Sequence, residues 1–167
     1  MLKDFKIHQI AIFFYFGDDI KNNFREMFGR ELIVDKQRIS GFLNDQEKNN
    51  SPVNLYFDFE LMNDVEIEFI KTWPGHWHWN DCDKKYPLPF LSHLGTYLSD
   101  DKFDNYFIEL SKKFKILQFT KSHDHSNKRH GDGEKSSRSY IDAIFDTKDF
   151  IGFNLKLSKR NKLENIK

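Results

Sequence analysis

The chain has 167 residues, with 26 Lys and Arg against 26 Asp and Glu, so its formal net charge is zero and no global field directs it to nucleic acid or to an anionic membrane. That length suits one compact domain or two small modules packed together, and 18 Phe, 6 Tyr and 3 Trp supply more apolar surface than a disordered chain carries. The lone cysteine, Cys82, excludes an internal disulfide and fits a reducing compartment. No apolar run approaches the roughly 20 residues that span a bilayer, and Lys3, Asp4 and Lys6 interrupt any secretory leader, so the expected location is the cytoplasm.

In chain order, residues 6–16 are rich in Ile and Phe and read as a buried strand that carries His8. Asp18 or Asp19 caps a helix on which Ile20, Phe24, Met27 and Phe28 recur at helical spacing, and Gly29 stops it. Residues 32–43 form a second strand with a bend at Gly41, and residues 44–51 a polar connection. In residues 52–62 Val53, Leu55, Phe57, Phe59 and Leu61 alternate with Asn54, Tyr56, Asp58 and Glu60. After a turn at Asn63 and Asp64, Val65, Ile67 and Phe69 alternate with Glu66 and Glu68. Two adjacent strands thus present acidic faces.

Residues 73–89, WPGHWHWNDCDKKYPLP, break both periodicities and connect the two halves. Their tryptophans, Trp77 among them, either clamp a planar ligand or plug the seam between modules, and burial of tryptophan favours the seam. The second half repeats the order: a strand over residues 91–98 with His93, a helix from Asp100 or Asp101 carrying Phe103, Phe107, Leu110 and Phe114, and a strand over residues 115–120. Residues 121–137, rich in His, Lys and Ser, read as a mobile loop, either a lid or solvent-exposed slack. Strands over residues 140–145 and 152–157 close the fold, and residues 160–167 form a charged tail that frays.

His8 and His93 lie about half the chain apart, each early in an apolar strand that runs into paired aspartates and a short helix, which marks an internal duplication. The expected organisation is a single domain over residues 1–167. Module one covers about 5–74, a connection about 75–88 and module two about 89–160.

This β-α-β-β-β order, taken twice, resembles the glyoxalase, bleomycin-resistance and extradiol-dioxygenase family, the vicinal oxygen chelate superfamily. The matching pieces are IHQIAI at residues 7–12, VEIEFI at 65–70, SHLGTYLSDD at 92–101 and IGFNLKL at 151–157. The resemblance implies an α+β fold in which two tandem modules curl their mixed sheets into a cup, with helices outside. It also implies a divalent metal (Fe, Mn, Ni or Zn) held by His8, Glu68 and His93, with Lys156 at a fourth position where the family commonly has a carboxylate. A protonated lysine has no lone pair for a metal.

Two imidazoles and a carboxylate would suit such ions and leave positions for vicinal oxygens of a small substrate. The enzyme reading is a metal-dependent lyase, isomerase or dioxygenase, with Glu66 and Lys156 as catalytic candidates and Glu66 as the acid that moves a proton. Tyr56, Asp58, Trp77, Tyr97, Asp142 and Asn154 are the candidate ligand-binding groups. The competing reading makes His8 and His93 hydrogen-bonded core residues and pairs Glu68 with Lys156, leaving a metal-free cup that binds or sequesters a small ligand or a partner protein. A homodimer is expected from the resemblance; a membrane partner is excluded and nucleic acid is not expected.

Overall fold

The computed structural model describes residues 2, 5–14, 19–43, 46–62, 65–71, 90–123 and 138–162. The first half runs β1 (Gln9–Phe14), α1 (Ile20–Phe28), β2 (Ile33–Leu43), β3 (Gln46–Met62) and β4 (Val65–Lys71). The second runs β5 (Phe90–Leu98), α2 (Asp100–Ser111), β6 (Ile116–His123), β7 (Arg138–Phe145), a single helical turn α3 (Lys148–Ile151) and β8 (Asn154–Lys162). The expected α+β architecture of two β-α-β-β-β modules is present.

Local chemistry explains the helix ends. Asp19 Oδ1 accepts from the Asn22 amide at 3.2 Å and starts α1, and Gly29, left-handed at φ 68°, ends it. Asp100 and Asp101 place negative charge in the first turn of α2, where the helix dipole favours it.

The strands close into a ring in the order β1-β4-β3-β2-β6-β7-β8-β5. Each half contributes one parallel ladder, β1 with β4 and β5 with β8, and the other ladders are antiparallel. The halves join twice, at β1–β5 and at β2–β6. At the second seam Gly41 (φ 131°) sits in a bulge where a Cβ would lie 2.2 Å from the Phe119 carbonyl oxygen, so a side chain there would collide with backbone.

Three sequence-based boundaries are corrected. Residues 46–51 extend β3 rather than forming a polar connection, because β2 is long enough to pair with them: Ile39 stands opposite Ser51 and Leu43 opposite Gln46. Residues 121–123 continue β6, and Arg160 to Lys162 continue β8 rather than fraying, because Arg138, Ser139 and Tyr140 of β7 provide their partners. The tryptophan segment with Trp77, and residues 124–137, lie outside the described residues.

The helices cover the outer face of the ring. Phe103 and Leu110 of α2 are buried with Ala143, Phe145, Leu155 and Leu157, and Phe24 of α1 meets the Phe69 ring at 5.8 Å. Alternation then assigns the inner face, because residues opposite one another in register point the same way. Ile67 and Phe69 lie under α1, so Glu66 and Glu68 point into the ring; Leu155 and Leu157 lie under α2, so Asn154, Lys156 and Ser158 point inward. Among the described residues no helix is long and apolar enough to cross a membrane.

Candidate functional site

The inner face is layered. Phe13, Ile70 and Phe90 fill one end, with the Phe13 and Phe90 rings 5.2 Å apart, and Tyr97 and Tyr140 stand at the other, 6.2 Å apart. Between them Gln9, Glu66, Glu68, His93, Asp142, Asn154, Lys156 and Ser158 are all buried. Buried polar groups persist where they find partners.

Gln9 is the hub of this layer. Its Nε2–H donates to Glu66 Oε1, while its Oε1 accepts from Lys156 Nζ at 3.0 Å and from His93 Nε2–H at 3.2 Å. Tyr97 Oη donates to Glu66 Oε2 at 3.1 Å, so both Glu66 oxygens are engaged. Gly95 stands opposite Gln9 in the β1–β5 ladder, and a Cβ there would approach Gln9 Oε1 to 3.0 Å and Gln9 Cβ to 3.1 Å. The missing side chain at Gly95 is what admits Gln9.

Lys156 carries the positive charge of the layer. Beyond Gln9, its Nζ lies 3.7 Å from Asp142 Oδ1 and 4.0 Å from Glu68 Oε2, and the residue is 6% exposed. Asp142 is held in turn by Ser158 Oγ at 2.5 Å. His93 Nε2 faces Glu68 Oε2 at 3.5 Å and its Nδ1 accepts from Ser92 Oγ at 3.1 Å. Ser92 is the extra residue of a bulge between the Ala11–His93 and Ile12–Leu91 pairs. Burial, reinforced by the nearby Lys156 charge, holds the His93 imidazole below its ordinary range despite the hydrogen bond to Glu68 that pulls the other way. His93 is therefore neutral, with its Nε2 proton donated to Gln9 Oε1.

The structure separates the residues expected to act together. Glu68, His93, Lys156, Asp142, Asn154, Glu66 and Tyr97 share the interior. His8 does not join Glu68 and His93: it is half-buried one residue before β1, where its Nδ1 accepts from the Tyr97 amide at 3.2 Å and lies 3.2 Å from Thr96 Oγ1. Thr96 stands opposite Leu157 on the helix-covered side. The two parallel ladders show why. Gln9 stands opposite Glu66 as His93 stands opposite Asn154, and Ala11 stands opposite Glu68 as Gly95 stands opposite Lys156. The counterpart of His93 in the first half is Gln9, so matching histidine to histidine misses by one residue.

Tyr56 and Asp58 are also displaced. They stand opposite Phe69 and Ile67, on the outer face, and Arg30 just beyond α1 grips Asp58 through Nε at 2.8 Å and Nη2 at 2.9 Å. Trp77 lies outside the described residues.

The inner residues do not fit a divalent metal. Among the described residues no group of three or more His, Cys, Asp or Glu side chains is arranged to hold one. Beside Glu68, His93 and the Gln9 amide oxygen, the wall places an ammonium group, Lys156, where a further donor would stand. The ammonium repels a dication and has no lone pair to give.

No protein-family model and no curated protein matches the chain. Solved structures do. A hypothetical protein from Bacillus halodurans C-125 matches with a TM-score of 0.55 at 8% identity, covering 95% of this chain and 96% of that one. A methylmalonyl-CoA epimerase in complex with methylmalonyl-CoA and NH4+ matches with a TM-score of 0.54 at 13% identity, covering 92% and 93%. The methylmalonyl-CoA epimerase of Mycobacterium tuberculosis matches with a TM-score of 0.52 at 14% identity, covering 92% and 86%. At such identities the likeness is one of fold, and the chain has the glyoxalase-like α+β fold of these proteins.

Proposed function

We propose that this chain is a glyoxalase-like binding protein whose barrel interior takes a small, donor-rich molecule without the help of a divalent metal. The observation that carries this reading is the inward Lys156 Nζ, 3.0 Å from Gln9 Oε1 and within ion-pair distance of Glu68. A metal-dependent lyase, isomerase or dioxygenase requires open donors at that point. Lys156 closes it on the described inner wall.

The ligand class follows from the balance of hydrogen-bonding groups. Gln118 Oε1 and Asn154 Oδ1 are buried acceptors with no hydrogen-bond partner among the described residues, and each residue is 8% exposed. Gln118 stands opposite Ile144, itself opposite Lys156, and Asn154 stands opposite His93, so both belong to the inner face. Glu66, Glu68 and Asp142 add three carboxylates against one lysine. Unfilled buried acceptors are costly, and a polyol or a primary amine satisfies them where a carboxylate or phosphate does not. Glu66, the expected proton carrier, has both oxygens engaged by Gln9 and Tyr97, which suits recognition better than proton transfer.

Metal analysis of untagged protein together with thermal melts against small polyols, amines and carboxylates tests the reading. The expected result is substoichiometric metal with melting raised by polyols or amines. Stoichiometric metal, or stabilisation by carboxylates alone, overturns it.

A further inference from the structure

We infer that the ε-ammonium group of Lys156 is the resident cation of the barrel, a tethered ion in the place of a free one, so that removing it creates a site for a small dissolved cation. This rests on the metal-free reading above and goes beyond it by assigning the positive charge to one side chain and by specifying what its loss would leave behind.

The geometry is that of a cation and its shell. Gln9 Oε1 at 3.0 Å, Asp142 Oδ1 at 3.7 Å and Glu68 Oε2 at 4.0 Å surround Nζ from three strands, two in the first half and one in the second. The donors are themselves buried: Gln9 and Glu68 are 2% exposed and Asp142 9%. Burying carboxylates away from water is tolerated only with a partner charge, and Lys156 supplies it. His93 stays neutral and adds none.

Truncating Lys156 to alanine would leave two carboxylate groups, an amide oxygen and an imidazole around the space the lysine side chain filled. Oxygen-rich sets with one nitrogen accept ammonium ions through hydrogen bonds and Mn(II) through coordination. Lys156→Met refills most of the space without charge and leaves no room for a free cation, which separates loss of charge from creation of a site.

The experiment compares wild type, Lys156→Ala and Lys156→Met in methylammonium chloride and in tetramethylammonium chloride at equal ionic strength. Methylammonium is expected to raise the melting temperature of Lys156→Ala by about 3 °C or more relative to the bulkier ion, as ligation of the folded state requires, over and above any shift it produces in the other two. Mn(II) is expected to broaden the amide signals of His93 and Gly95 in Lys156→Ala alone. Equal melts of Lys156→Ala in the two salts, with no Mn(II) broadening, overturn the inference while leaving the metal-free reading intact. Mn(II) broadening of those amides in wild type overturns both. Should Lys156→Ala fail to fold, the wild-type lysine ammonium spectrum decides. One slowly exchanging NH3+ signal coupled to the Gln9 side chain is expected, and its absence contradicts the assignment.

Discussion

Lys156 Nζ lies 3.0 Å from Gln9 Oε1, which ties the last strand of the second half to the first strand of the first half inside the barrel. Removing the charge by Lys156→Ala strands Glu68 and Asp142 and is expected to lower stability by about 3–5 kcal/mol, the scale for breaking a buried ion pair from one side. Lys156→Met should lose less, because packing is kept. Urea melts of the two variants check this, and a loss below about 1 kcal/mol for Lys156→Ala would place the ammonium in solvent instead.

Lys156 is what excludes a metal, while Gln9 offers a neutral amide oxygen. Gln9→His with Lys156→Glu gives four donors with Glu68 and His93, and this double variant is expected to bind Mn(II) or Zn(II) stoichiometrically. Lys156→Glu alone should bind Mn(II) or Zn(II) more weakly than the double variant, because the neutral Gln9 amide oxygen is a weaker donor to these ions than an imidazole. Calorimetric titration compares them; equal affinities would show that Gln9 lies outside the relevant sphere.

The pH dependence follows from His93, whose imidazole burial holds below its ordinary range near 6.5. The unfolded chain binds the proton first as pH falls, so the stability contributed at this residue is complete above pH 6.5, declines below it, and levels off beneath the folded value. Denaturant melts between pH 7.5 and about 5 should show a shallower decline for His93→Gln than for wild type. Parallel declines would mean that His93 titrates normally.

Gly95→Ala is expected to cost about 1–3 kcal/mol by overpacking, since the new Cβ meets Gln9 Cβ at 3.1 Å. The sheet should survive, and the Lys156 ammonium signal should shift with the displaced Gln9. Unchanged stability and spectrum would show that Gln9 does not sit against Gly95.

Asp58 gives the contrasting case. Asp58→Asn is expected to cost about 1.5–3 kcal/mol by weakening the two charged hydrogen bonds from Arg30, yet to leave ligand-induced stabilisation unchanged, because the pair lies on the outer face. Loss of ligand response would return Asp58 to the interior.

The duplicated architecture was legible because each repeat carries its own strand, cap and helix signals, and because Val65, Ile67 and Phe69 alternate cleanly with Glu66 and Glu68. The first strand was not. His8, Ile10 and Ile12 alternate with Gln9, Ala11 and Phe13, and in a barrel strand covered on both sides neither set is distinctly polar. Histidine therefore drew attention from Gln9, although a glutamine inside an apolar run was the available signal. Tyr56 and Asp58 were misplaced for a related reason. Alternation gives two faces but not which one turns inward; here pairing with Phe69 and Ile67 under α1 puts Tyr56 and Asp58 on the outer face, where the distant Arg30 partners Asp58.

The central claim, that an ammonium group stands where a metal would, is tested most directly by adding one equivalent of Mn(II) to the wild-type protein and following its amide signals. Placing the readout at His93 and Gly95 confines it to the barrel interior. No broadening at His93 or Gly95 is expected, because Lys156 holds the position. Selective broadening centred on those two amides would contradict the claim and restore a metal centre to the barrel.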